Sequence, residues 1–538
     1  MKRYAKTVHM SLAAALLLTG AACSKENKEA ASSTQPAGTA AATAAAAASK
    51  GPLKEISVEI FDRGVVPPEE GTIADNRWTR WVNEQVGKLG LKVNYYPVPR
   101  NEEITKVNLL LAAGEAPDML YTYNDDSLKQ WANSGGLHEL DEAVKQYGPN
   151  IQSKLWDQKP GVKDAGIVNG KLYAIAGGTT IYTSNMLFMR KDWLDKVGLG
   201  IPKTPEEFYQ ALKAFKDKDP GGAGKDNVVP LTVSMSSTSA QLNVAGLLSA
   251  FGVEDDLAYI DGKLVPRELQ SGYKNYLVYM NKLYKEELIA TEFALDTDGK
   301  RSKEQTFGGK AGAWSGNYNW INVTSGAGER LNHDSVQNDP NVEWHPVAPF
   351  ADQTGKIHQV VTPPYGYRII VPKTSKKVNE VVQYIDWMVK EGADTLFFGV
   401  ENEHYTLKDG IRVPKDTAYN AKTLSYINYE ISAVRPFTFD GNYFKALDGN
   451  TKFGAISEAA AKINREGARN KILFDRPIAA ASKYKTELDK LTQKAVVQAI
   501  TGADPERIYE DFKAAYLKNG GQEYIDEMTG VYKEMNKL

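Results

Sequence analysis

The stretch AWSGNYNW, residues 313–320, sets Trp314, Tyr318 and Trp320 among Asn317 and Asn319. Flat rings stack on the C–H faces of sugar rings and amides meet hydroxyls, so a pocket for a polar ring needs this mixture of apolar area and placed polar groups. Gly316 lets the backbone turn sharply to present them. The competing reading is that two or three of these rings fill a core. Tyr365 and Tyr367, in TPPYGYR, carry the same two readings. A second set stands where strands are expected to end: Asp62 and Arg63 after EISVEIF, and Tyr123, Asn124 and Asp125 at the close of DMLYTYND. These groups suit hydroxyl contacts, and helix capping is the routine alternative for Asp and Asn.

Such residues need elements to hold them. Residues 55–61 alternate Ile56, Val58 and Ile60, which is strand period. Trp78, Trp81, Val82, Val86 and Leu89 then share a helical stripe, with Asp75 as the expected N-cap and Gly90 as the stop. LKVNYYPV returns to period two, Ile104, Val107, Leu110 and Leu111 make a second helix ending at Gly114, and DMLYTY makes a third strand. Strands alternating with helices imply α/β architecture, a mostly parallel sheet, and ligands at the carboxyl ends of its strands. Farther on, Thr204 with Glu207 forms a capping box, Pro205 suits the first helical position, and Phe208, Ala211, Leu212 and Phe215 form the buried stripe. Val378, Val381, Val382, Ile385, Met388 and Val389 repeat helical spacing after the strand YGYRIIVP.

The amino-terminal segment has another character. Lys2, Arg3 and Lys6 precede an apolar run from about Met10 to Leu18 and the small residues before Cys23, the only cysteine in 538 residues. That order is an export signal, and the run is too short to span a bilayer, which needs ~20 apolar residues. A lone cysteine forms no internal disulfide and no Cys/His metal set. The arrangement resembles a bacterial lipoprotein signal in which the cysteine is lipidated, with Gly20 where Leu is usual. Residues 1–22 are then the signal, and 23–52 the lipidated Cys23 with a Ser/Thr/Ala-rich flexible linker that lacks the apolar surface to order itself. The rest is globular in composition, and a formal net charge of -2 argues against a nucleic-acid partner, which wants a clear basic excess.

MRKDWLDKVGLGIPKTPEEFYQALKAFKDKDP, APDMLYTYND, GGKAGAWSGNYNW and GVENEHYTLKDG resemble the solute-binding lipoproteins of ATP-driven (ABC) importers, in the large branch that includes alginate and other oligosaccharide binders. The resemblance runs over the mature chain with its segments in order. It implies a two-lobed, periplasmic-binding-protein-like α/β fold of type II, with discontinuous lobes joined by a hinge: 54–183 plus 355–428, and 184–354 plus 429–538. It implies an oligosaccharide taken into the interlobe cleft, lobe closure, and delivery to the transmembrane subunits of a permease and their ATPase. The protein is expected to be a monomer without a cofactor, exported and lipid-anchored to the outer face of the cytoplasmic membrane or periplasmic. Relatives in this branch stack ligand on aromatics in the stretch matching 313–320.

Many such relatives also carry a calcium loop, Asp-Pro-Asn-Gly-Asn-Gly-Lys-x-Asp-Glu. Here DKDPGGAGKDNVVP, residues 217–230, keeps Asp219 and Gly224, but Gly221 and Ala223 replace the two Asn ligands, Asn227 replaces the Asp and Val228 the Glu. A hard cation wants six or more oxygens, so Asp219 and Asn227 are remnants and weak or no calcium binding is expected. A secreted polysaccharide-degrading enzyme is the alternative class, since a carboxylate pair never shows in sequence. Against it, there is no Gly-x-Ser-x-Gly, no His-Glu-x-x-His, and His138, His333, His345, His358 and His404 are scattered. A peptide carrier is the competitor within the same class, because aromatics and amides suit peptides too.

Overall fold

The first strand, β1 (Lys54–Asp62), buries Ile56, Val58 and Ile60 on the face its alternation marks, and toward its end Glu59 and Phe61 on the other face are buried as well. A computed structural model describes residues 52–159, 161–178, 185–235, 242–321, 331–335, 339–362, 365–408, 410–428, 431, 434 and 453–538. Cys23, the export signal and the linker lie outside the described residues. Helix α1 (Arg77–Gly87) follows β1 and buries Trp78, Val82 and Val86, while Leu89 lies beyond its end and is exposed. Its cap is Asn76, not Asp75. The Asn76 side chain accepts from the Trp78 and Thr79 amides and donates to the carbonyls of Thr72 and Ile73, a double role closed to an acceptor-only carboxylate. Asp75 instead pairs with Arg80 at the surface.

Strand β2 (Leu91–Pro99) runs parallel to β1, in register from Lys54↔Leu91 to Asp62↔Pro99. Helix α2 (Glu103–Ala113) buries Val107 and Leu110 and stops at Gly114, whose φ of 71° is left-handed. Strand β3 (Leu120–Thr122) then returns on the far side of β1, where the Glu59 amide donates to Met119 O (2.9 Å) and the Met119 amide to Ser57 O (3.0 Å). The chain thus leaves β1 on one side and comes back on the other. In parallel sheets such a reversal is where ligands are received, at the carboxyl ends of the two strands. Helix α3 (Asp125–Asn133) and strand β4 (Ala174–Gly178) complete the amino-terminal part.

A second sheet is built from β5 (Asn185–Arg190), β6 (Val229–Leu231), β7 (Ala311–Asn317) and β8 (Trp344–Val347), in the order β8-β5-β7-β6. β7 is parallel to β6 and antiparallel to β5. Helix α4 (Pro205–Lys218) covers this sheet with Phe208, Ala211, Leu212 and Phe215, and Thr204 caps it by accepting from the Glu207 amide. The reciprocal half of the box slips by one residue, for Glu207 accepts from Lys203. Helix α5 (Tyr273–Lys285) lies between α4 and β7 in sequence and buries Tyr276, Leu277, Met280 and Leu283.

Strand β9 (Gln359–Val361) leads back, and β10 (Tyr365–Ile370) enters the first sheet between β3 and β4, antiparallel to both. Into the mostly parallel sheet expected there, this strand brings two antiparallel pairings from far along the chain. Helix α6 (Val378–Trp387) packs Val381, Val382 and Ile385 beneath it. Strand β11 (Ala468–Asn470) pairs in parallel with β9, and helices α7 (Ala479–Thr501), α8 (Pro505–Tyr516) and α9 (Gln522–Asn536) close the chain.

Two large cores result. One draws on residues from Ile56 to Ala176 and from Tyr365 to Val434, the other on Leu187 to Phe350 and Ile478 to Met528. Ile431 and Val434 belong to the first core as well. Beside β11, Leu473 packs on the first core while Ile472 and Phe474 pack on the second. Among the described residues no helix is long and apolar enough to cross a membrane.

Candidate functional site

At the mouth between β1 and β3 four rings crowd together. Tyr367 of β10 meets Tyr121 edge-on at 4.8 Å and Tyr123 at 5.3 Å, and Phe61 stacks with Tyr123 at 6.0 Å. Tyr121 and Tyr367 are buried, and Tyr123 is half-buried at the rim. The backbone beside these rings is held by the side chains of two acids, Glu59 of β1 and Glu103 of α2, in bonds that belong to no strand ladder. The Tyr121 amide donates to Glu59 Oε2 (2.7 Å), and the Tyr123 amide donates to Glu103 Oε1 (3.1 Å). Glu59 is fully buried and its Oε1 has no partner; burial pushes its carboxyl up to about 8, with Glu103 adding to the rise. Arg100 donates through Nη1 to Glu103 Oε2 (2.7 Å) and lies over the Tyr123 and Phe61 rings, 4.3 and 5.1 Å from their centroids.

Around this mouth the expected polar residues have separate duties. Asp62 Oδ1 accepts from the Gly64 amide (2.8 Å), and Asn124 caps α3 by accepting from the Ser127 amide (2.8 Å). Asp125 pairs with Arg368, which is itself buried, donates to the carbonyls of Tyr123 and Gly366 and lies over the Tyr365 ring. Burial pulls the Arg368 guanidinium down to about 10, against the pull of Glu103, and pushes the Tyr365 hydroxyl up to about 12. Arg63 is exposed. Tyr123, Asp125 and Tyr367 therefore come together with Phe61, Arg100 and Glu103, whereas Asp62 and Asn124 mainly shape the turns beside them.

The aromatic stretch of β7 lies in the other body. Trp314 is 2% exposed, with Phe188 stacked at 5.9 Å and Trp320 at 5.9 Å, their planes within 19° in the second pair. Tyr318 is buried too, and burial pushes its hydroxyl well up. Two rings pack on Trp314, and a Cβ on Gly316 would fall 2.4 Å from its indole. Trp314 and Tyr318 thus pack as core in this structure, the competing reading for such rings. Trp320 is half-buried with Lys303 over it at 5.6 Å, and Asn317, also half-buried, ends β7 with its Oδ1 unpartnered. Asn185, directly across from Asn317, donates to Asn243, which donates to Ser315 O.

Two α/β bodies with a strand-end crevice match a known kind. Residues 73–395, well over half the chain, match the family described as bacterial extracellular solute-binding protein. The chain belongs to that family. This solute-binding protein is 27% identical over 460 residues to lipoprotein LipO of Bacillus subtilis, covering 82% of this chain and 87% of LipO. It is 23% identical over 466 residues to the polygalacturonan/rhamnogalacturonan-binding protein YtcQ of the same organism, covering 84% and 87%. Its fold is that of the alginate-binding protein AlgQ2, crystallised without calcium ion, with a TM-score of 0.67, 19% identity, and 90% of this chain and 99% of that one covered.

In this solute-binding protein the loop of residues 217–230 is turned inward. Asp219 has φ 44°, and its two carboxylate oxygens accept from the amides of Ala223 (3.0 Å) and Gly224 (2.8 Å). Asn227 donates its amide to Ala223 O (3.2 Å). Gly221 lies against Trp193, where an added Cβ would meet the ring at 2.1 Å, so no liganding side chain fits at that position. The side chains present fall short of a calcium shell. Arg100, Glu103 and Glu59 were not singled out from sequence. A signal existed for Glu59, an acid inside the run EISVEIF, but alternation assigns it to a solvated face.

Proposed function

We propose that this protein captures an oligosaccharide between its two lobes and hands it to the transmembrane subunits of an ABC permease. The observation that carries the reading is the strand-end cluster at β1 and β3, where the half-buried Tyr123 and the partly exposed Arg100 stand at the rim beside the buried rings of Phe61, Tyr121 and Tyr367. The rim ring supplies apolar area for a sugar, and the charged groups supply hydrogen bonds. The polygalacturonan/rhamnogalacturonan-binding YtcQ and the alginate-binding AlgQ2 support the same ligand class. Trp320 and Asn317, on the other body, are the groups that would meet the ligand's far side. We assign the lobes to 54–183 with 355 onward through 434, and 184–354 with the carboxyl-terminal helices, because the two cores divide there.

Ligand contacting both lobes shifts the protein toward the closed form only if it binds that form better. The β9·β11 ribbon, which pairs residues 359–361 with 468–470, is the flexing element. Lipidation of Cys23 and a linker to the folded body place the carrier at the outer membrane face, in keeping with a relative named a lipoprotein. No catalytic role is assigned. Calorimetric titration of the purified protein with plant and algal oligosaccharides and short peptides, with product analysis of each mixture, tests this. Stoichiometric saccharide binding without turnover is expected; cleavage of any ligand makes the protein an enzyme, and binding of peptides alone replaces the cargo.

A further inference from the structure

Arg100 sits in an unusual state for an arginine held by an acid. A carboxylate normally closes on a guanidinium fork with both oxygens. Glu103 does not: Oε2 takes Arg100 Nη1 at 2.7 Å, while Oε1 is spent on the Tyr123 amide at 3.1 Å. Glu103 is 3% exposed and fixed at both oxygens, so it has nothing further to offer the fork. A guanidinium carries five N–H donors. Among the described residues only Nη1 of Arg100 is engaged, and 32% of its side chain is exposed.

Its position is also set in advance. The guanidinium carbon lies over the Tyr123 ring at 4.3 Å and the Phe61 ring at 5.1 Å, so with the Glu103 bond little rotamer freedom is lost when a second partner binds. What the crevice presents there is a planar cationic fork over an aromatic shelf, and its geometric complement is a carboxylate. The Arg368 guanidinium does not compete, because it is buried and already paired with Asp125. Asp62 and Arg63, adjacent on the rim, offset one another in charge.

We infer that Arg100 is a specificity-determining residue that selects oligosaccharides bearing uronic-acid carboxylates over their neutral counterparts. The inference rests on the oligosaccharide-carrier reading and narrows it to an acidic cargo. Arg100 receives the sugar carboxylate on its free edge while Glu103 keeps holding the opposite edge. A lysine in its place, a point charge without a fork, keeps the attraction and loses the fixed geometry.

The test is calorimetric titration of the full-length protein, in wild-type form and as Arg100→Lys and Arg100→Ala, with trimers of galacturonate and mannuronate and with galactotriose and mannotriose. A preference for one uronate over its neutral counterpart of at least about tenfold is expected in the wild type. Arg100→Ala should abolish that preference by weakening the acidic trimer at least about tenfold more than its neutral counterpart, and Arg100→Lys should retain part of it. Equal binding of acidic and neutral trimers by the wild type overturns the inference, as does an Arg100→Ala loss of the same size for both. Binding confined to neutral trimers overturns it and leaves the carrier reading intact, whereas binding of no saccharide removes both. Should Arg100→Ala fail to fold, the wild-type preference and the Arg100→Lys titration decide alone.

Discussion

Glu59 offers a stringent test of how the crevice is built. Its carboxyl is fully buried, one oxygen accepts the Tyr121 amide at 2.7 Å, and the other is unpartnered. Burial raises it from 4.5 to about 8. An acid whose folded-state value lies above its unfolded one holds its proton in the fold after the unfolded chain has released it. Its contribution to stability is full below pH 4.5, declines as pH rises through the interval, and is gone above about pH 8. At 1.36 kcal/mol per pH unit, that interval sets a ceiling of about 5 kcal/mol, of which roughly 3 kcal/mol is lost by neutrality. Glu59→Gln keeps an acceptor for the Tyr121 amide and cannot ionise. Thermal and urea unfolding of both proteins should be compared from pH 5 to 9, reading the variant minus the wild type so that other titrations cancel. The variant should gain on the wild type steadily up to about pH 8, then hold level. A difference that does not change with pH would refute the reasoning, because it would mean that Glu59 is ionised and solvated in the fold.

Trp314→Ala should lower stability by about 3–5 kcal/mol, the cost of removing a fully packed aromatic, whereas Trp320→Ala should weaken saccharide binding by about tenfold at nearly unchanged melting temperature; the opposite pattern would move the ligand contact to Trp314. His404 is buried, its Nδ1 accepts from the Val400 amide (3.1 Å), and burial lowers its affinity for protons despite Glu403 alongside. Its neutral form is therefore the folded one, and stability is lost as pH falls below 6.5, with the protection of the Val400 amide, corrected for its intrinsic exchange rate, falling in step; protection that is flat from pH 7 to 5 counts against this. Gly221→Ala should destabilise by about 1–3 kcal/mol through overpacking against Trp193, and an unchanged melting curve would mean that the ring yields freely. A chelator should leave the melting temperature of the wild type in place, and a clear fall would restore a calcium role to Asp219 and Asn227.

Local pattern carried most of the elements. Thr204, Pro205 and the Phe208–Phe215 stripe were legible because a helix start is a matter of a few adjacent residues. Gly114 was legible because few other residues adopt a left-handed stop without strain. Asp75 against Asn76 turned on donor capacity, which periodicity does not register. The placement of β10 was not legible at all, since strand pairing at such separation leaves no trace in the alternation of either partner. At the site, strand-end reasoning reached Tyr123 and Asp125, but Arg100 belongs to the turn after β2 and enters the crevice only because α2 folds back. The rings of 313–320 looked alike in sequence, and only packing separates the enclosed Trp314 from the half-buried Trp320.

The insertion of β10 between β3 and β4 has a kinetic side. Arg368 of β10 bonds to the Tyr123 carbonyl across 245 residues of chain. No fragment that ends before Tyr365 closes the first sheet, so β3 and β4 wait with open edges while the whole second sheet is made. Long-range pairing of this kind slows folding, because loop closure must precede the contacts that reward it. For most proteins the delay is a hazard of aggregation. For a member of an extracellular family, whose chain has to pass a membrane before it takes its shape, the same delay keeps the polypeptide threadable until its last third begins to emerge.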